Sequence, residues 1–295
     1  MVGRRSVGIL TVIIILLAMV ASGYGLLSGH GADEKGRAGW FTSIRGEKVE
    51  LYGRGIYQYD SFSVATQAIA QDGVTLAAGV PLLLVALVMS LRGRVRGRLL
   101  LAGALGYFTY TYASYCFLAT YNNLFLIYVM LFSASLFAFI LTLRSLEREK
   151  LEGLFKAGLP SRSIGLFLLF ITCMILMLWL GRIVDSLRQG TAPEGLEHYT
   201  TLVIQALDLA ILLPLLAVTG ILLIRRQPFG NLLASVVIVK VAALLTSITM
   251  MIVGMLKAGV HVSTVELIVF PAFNVGVFVC LYLLLRNVQE SGGRE

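Results

Sequence analysis

The sequence predicts an all-α integral membrane protein: a polytopic bundle of about eight transmembrane helices with a small extracytoplasmic cap. Three observations carry that expectation. Hydrophobic residues make up 58% of the 295 positions and charged residues only 14%, against roughly 45–50% and about 25% in soluble chains. The mean hydropathy is +0.86. The apolar residues run continuously for about 20 positions at a time, as helical spans do; β-barrel strands would alternate over about 10 residues. A soluble enzyme, a nucleic-acid-binding domain and a disordered tail are excluded.

Eight spans are expected, over 7–27, 74–91, 99–119, 124–143, 164–180, 201–224, 232–256 and 264–285. At 1.5 Å per residue each is about 25–37 Å long, which suits a hydrocarbon core of about 30 Å. The first follows Arg4 and Arg5 and is long for a cleaved leader, so it reads as an uncleaved anchor. No repeat of fixed period is read; spans one to four and five to eight share only a weak hydropathy symmetry.

Orientation follows from the basic residues. Most of the 24 Lys and Arg fall between alternate spans, at Arg92, Arg94, Arg96, Arg98, Arg144, Arg162, Arg225, Arg226 and Arg286 among others. Short loops rich in Arg and Lys stay cytoplasmic, which places both termini inside the cell membrane. The net charge of +8 therefore reflects topology, and no nucleic acid is expected. The turn RGRVRGR should meet anionic lipid headgroups on that face.

Two connections carry information. The outer loop 28–73 is a cap in which EKVELYGRGIYQYDS reads as a hairpin turning at Gly53–Arg54–Gly55, and 63–70 as a helix on the outer membrane surface. The inner loop 144–162 sets Leu143, Leu146, Leu151, Leu154 and Phe155 on one stripe. It reads either as an amphipathic segment along the inner headgroups or as a polar extension of span four. Cys116, Cys173 and Cys280 sit singly inside apolar runs, as packing residues do.

Ionisable groups inside spans cost about 2.5–3.5 kcal/mol each on insertion scales and need a partner or a purpose. Asp208 in span six shares a helix face with Gln205 and Thr201. Pro214, six residues on, is expected to free the carbonyl at Asp208. Lys240 lies in span seven, on a helix antiparallel to span six, and the two charges differ in depth by about 10 Å at 1.5 Å per residue. They read either as a register-fixing pair or as a functional one. Glu266, Phe270 and Asn274 line one face of span eight. Span three carries Tyr107 and Tyr110, too deep for an interfacial aromatic belt, whose hydroxyls need acceptors such as Asp208.

Three functional readings stay open. The first is transport or sensing of a small cation, proton or polar solute in a pocket of Asp208, Lys240, Gln205, Glu266, Asn274, Tyr107 and Tyr110. The second is an outer-face enzyme acting on a lipid or lipid-linked substrate through His198, His261, Glu266 and Asp72, with His30, His198 and His261 as a weak metal constellation. The third is a non-catalytic partner protein. The chain contains neither a phosphate-binding Gly-rich loop nor a Cys-x-x-Cys pair, and the residues name no cofactor.

Overall fold

The structure, a computed structural model, describes residues 2–29, 39–147 and 154–290. Helix α1 (Val2–Leu27) leads into a hairpin of β1 (Trp40–Thr42) and β2 (Lys48–Glu50). Seven long helices follow: α2 (Phe62–Leu91), α3 (Val95–Leu118), α4 (Phe125–Glu147), α5 (Ser161–Gln189), α6 (Val203–Ile224), α7 (Pro228–Lys257) and α8 (Thr264–Asn287). Among the described residues, seven helices are long and apolar enough to cross a membrane. The chain is a polytopic helical membrane protein whose outer surface is itself apolar: Ile9, Phe170, Met177 and Val275 all point outward.

Helix α3 is not among those seven. It packs against α2, α4 and α7 at the centre of the bundle, so most of its side chains meet protein. A helix so placed can carry Tyr107, Thr111, Tyr112 and Tyr115 at low exposure, and its mean hydropathy falls accordingly.

The α2–α3 and α6–α7 hairpins follow one plan. A π turn at Thr75–Gly79 in α2 corresponds to one at Asp208–Leu212 in α6. The helices end at Leu91 and Ile224, their successors begin at Val95 and Pro228, and prolines stand at Pro81 and Pro214. Each pair is offset by 133 positions (75 to 208, 91 to 224, 95 to 228, 81 to 214). Proline has no N–H, and its ring crowds the carbonyl four residues back; a widened turn just before it relieves that crowding. Gly97 and Gly230 are also equivalent. A Cβ on Gly97 would lie 2.5 Å from the Met89 backbone, and one on Gly230 would lie 2.7 Å from that of Leu222. The absence of a side chain lets each hairpin close. No fixed period was legible because equivalent positions differ in chemistry: Thr75 against Asp208, Tyr107 against Lys240.

Several expectations are corrected. The cap hairpin turns at Ser43–Gly46, where Gly46 has φ 84° and donates to Ser43 O at 2.9 Å, and not at Gly53. Residues 63–70 belong to α2, which starts at Phe62 with Ser61 as its N-cap, and do not lie on a membrane surface. Of the inner loop, 148–153 lie outside the described residues. Leu146, near the end of α4, and Leu154 are buried with Val95, Leu232 and Val288, packed against the bundle. Main-chain bonds Lys156 N to Asn287 O (2.9 Å) and Gln289 N to Leu154 O (2.8 Å) hold that segment against the end of α8. Glu290 then accepts from Val95 N at 2.8 Å and caps α3.

Candidate functional site

The cap and the α5–α6 loop build one end of the site. Leu51 bridges to Ser61, and Tyr52 N donates to Asp60 O at 2.9 Å, which brings Asp60 beneath the hairpin. Asp60 Oδ1 accepts from Thr120 N at 2.8 Å and from the Tyr199 hydroxyl at 3.0 Å. Tyr199 stacks on His198 at 4.5 Å, and Ser61 N donates to its hydroxyl oxygen at 3.2 Å. The first half's cap is thereby joined to the second half's loop. Burial pushes the Asp60 carboxyl above the ordinary carboxylate range, against the hydrogen bonds from Thr120 and Tyr199 that lower it. Glu197 is raised by burial in the same way.

Below this end lies a cavity of about 460 Å³ that reaches into the helices. Its mouth is formed by Asp60, Glu194, Glu197 and Tyr199; its middle by aliphatic side chains of α5, α6 and α7, including Ile175, Leu212 and Ile248. Asp208, Gln205, Tyr110 and Trp179 line the wall at depth. Asp208 is 7% exposed. Its Oδ1 accepts from the Tyr110 hydroxyl at 2.6 Å and its Oδ2 from Trp179 Nε1 at 2.9 Å.

Lys240 makes no direct ion pair with Asp208 within 4.0 Å among the described residues. Its Nζ sits 4.2 Å from the centroid of the Tyr110 ring, so the phenol stands between the two charges, touching the cation with its face and the carboxylate with its hydroxyl. An aromatic face attracts an ammonium through its quadrupole, and the depth difference read from the sequence is spanned by this ring. The Asp208 carbonyl is not freed by Pro214: within the π turn it accepts from Leu213 N.

The remaining candidates divide. Gln205 and Glu266 line the cavity; Glu266 pairs with Arg182 at 2.7 Å and completes a capping box with Ser263. Tyr107 lies off the cavity, its hydroxyl bonded to Gln71 and, at 2.9 Å, to Ser247. Asn274 is also off the cavity wall and half-buried, with Thr246 Oγ1 3.4 Å from its Oδ1. His261 reaches the cavity lining, whereas His198 bonds Tyr59 O at 3.1 Å; His30 lies outside the described residues. No group of three or more His, Cys, Asp or Glu among the described residues is arranged to hold a metal. Asp72, grouped with the histidines on sequence, sits instead inside α2 bonded to tyrosines.

Trp179 and Arg182 were not among the site residues expected from the sequence, where Arg182 counted only as an outer-side charge. Their spacing of three on α5, at the end of an apolar run, was the available signal. Arg182 also lies over the Trp179 ring at 5.5 Å. Comparison with family models, with curated proteins and with solved structures returns no match.

Proposed function

We propose that this chain is an eight-span protein of the cell membrane, both termini cytoplasmic, that binds and moves a small cationic solute through the cavity beneath its cap. The observation that carries the reading is the deep wall of that cavity: a buried carboxylate, Asp208, held by a phenol and an indole. A carboxylate held between aromatic rings within aliphatic walls is chemistry that recognises an ammonium group on an apolar body. The lining carries five carboxylates, those of Asp60, Glu194, Glu197, Asp208 and Glu266, against the cationic Arg182 and the imidazole of His261, which favours a cation. Helices interrupted at corresponding positions of two repeats mark the solute site in many secondary transporters; the π turns of α2 and α6 stand at such positions. In this reading α3 is the eighth span, residues 28–61 are the outer cap, and the arginines of the α2–α3 turn face anionic headgroups.

Asp208 supplies the charge that the solute meets, Gln205 a neighbouring amide, and Trp179 and Tyr110 the aromatic walls. Lys240, behind Tyr110, offsets part of the Asp208 charge and keeps it from binding its cation irreversibly. A thermal-shift titration of the purified chain with tetraethylammonium and smaller ammonium ions should give saturable stabilisation. Asp208→Asn should abolish that response while eluting as the wild type does. Stabilisation that persists in Asp208→Asn, or is missing from the wild type across the series, would sink the proposal.

A further inference from the structure

Behind the cavity wall, in the first half of the bundle, lies a second acid that the solute site does not use. Asp72 on α2 is 3% exposed. The Tyr57 hydroxyl donates to its Oδ2 at 2.6 Å and the Tyr115 hydroxyl to its Oδ1 at 3.1 Å. Both oxygens meet phenol hydroxyls, contacts that a carboxylate makes as an acceptor. Among the described residues, however, no Lys, Arg or His lies close enough to answer its charge. A lone carboxylate inside a membrane bundle is costly and marks a functional position.

Three more hydroxyls surround the same acid. Ser22 Oγ comes from α1, the Tyr112 hydroxyl from α3 and the Tyr128 hydroxyl from α4. All three are sealed from solvent without a hydrogen bond of good geometry. Ser22 lies beside both the carboxylate and the Tyr112 hydroxyl, Tyr128 lies beside the Tyr57 hydroxyl and Asn122, and both phenols are within electrostatic reach of Asp72. The rings of Tyr112, Tyr115 and Tyr128 pack with centroids 5.0–6.3 Å apart. Buried polar atoms in native proteins are almost always paired, so three orphans around one acid call for a missing partner. Gly25 closes the remaining side: a Cβ there would collide with the Asp72 carboxylate and lie 3.0 Å from the Tyr57 hydroxyl.

We infer that Asp72, Ser22 and the hydroxyls of Tyr57, Tyr112, Tyr115 and Tyr128 form a binding site for a monovalent metal cation, Na⁺. Every donor is an oxygen, which suits hard cations and not those that prefer thiolate or imidazole. One negative charge balances a monovalent ion and leaves a divalent one short. Phenol and serine hydroxyls turn their hydrogens away and present lone pairs to the ion. The close approach of Gly25 to the carboxylate favours the smaller Na⁺ over K⁺. Tyr57 and Tyr115 also line the cavity, so a single layer of side chains separates the ion from it. The site stands whatever the cavity binds.

The test is equilibrium binding of ²²Na⁺ to the purified full chain, with K⁺ holding ionic strength constant. The wild type shows one saturable site; Asp72→Asn loses it, and Asp208→Asn keeps it. Tyr112→Phe and Tyr128→Phe preserve the ring packing and each weaken binding about tenfold, the scale expected for a supporting interaction at a metal site. No saturable binding by the wild type at acidic or alkaline pH would overturn the proposal and leave Asp72 to a proton. Binding that survives Asp72→Asn, or vanishes with Asp208→Asn, would equally overturn it. Neither result bears on ammonium binding in the cavity.

Discussion

At the scale of single residues, the informative groups are acids taken out of water. Asp60 is 1% exposed and outside the helices, and burial raises its carboxyl above the ordinary range despite two hydrogen bonds. The linkage follows from that direction. A carboxyl whose folded-state pKa is raised binds its proton more tightly in the folded protein. The stability it contributes is fully present below the unfolded value of about 3.9 and is lost as pH rises through the raised value. Asp60→Asn removes the titration while keeping an acceptor for Thr120 and Tyr199. The midpoint of thermal unfolding should therefore rise more for the wild type than for Asp60→Asn as pH falls from neutral toward 4; parallel curves would contradict this. Asp208 and Lys240 stood out in the sequence because charge is rare in apolar runs. The sequence offered Tyr107 and Tyr110 alike as donors to Asp208, and packing selected Tyr110.

At the scale of elements, the α2–α3 and α6–α7 hairpins are two copies of one design. Each carries a π turn, a proline shortly after it, a short turn with arginine, and a glycine in the first turn of the returning helix. Because Gly97 and Gly230 meet backbone and not a flexible side chain, a methyl group cannot be accommodated by a rotamer change. Gly97→Ala and Gly230→Ala should each destabilise the bundle by about 1–3 kcal/mol, the cost of overpacking a close contact. Guanidinium or SDS unfolding of the two variants would measure it, and a loss confined to one hairpin would argue against their equivalence. The elements themselves were legible as long apolar runs, with ends displaced where polar residues continue the helix. Helix α2 is the clearest case: Gln67, Gln71 and Asp72 broke the apolar pattern before Val74, although Ser61 had already capped the helix.

At the scale of the whole molecule, the halves differ in how tightly they close. Helix α1 packs along α4, and the space between them and α2 and α3 is filled by the tyrosines around Asp72. The cavity opens where the halves meet, lined by α2 and α3 as well as by α5, α6, α7 and the start of α8, and an apolar crevice of about 260 Å³ runs between α5 and α8 beside it. The cap from the first half meets the loop of the second over the mouth of that cavity. Thr191 is exposed at this end and Gln227 at the opposite one. The proposed orientation predicts that Thr191→Cys reacts with a membrane-impermeant maleimide in intact cells, and Gln227→Cys only after permeabilisation. The reverse pattern would invert the topology and with it the direction from which a solute enters.

The sequence by itself determined the class of the protein and the rarity value of Asp208 and Lys240, because hydropathy and span length are properties of the chain read in one dimension. The tertiary structure decided what those charges touch, that Asp72 belongs inside a ring of tyrosines, and that the α2–α3 and α6–α7 hairpins share a plan. Such facts depend on which faces of distant helices meet. Equivalent positions of the two hairpins differ in chemistry, threonine against aspartate and tyrosine against lysine, so the correspondence shows in backbone geometry and not in the side chains.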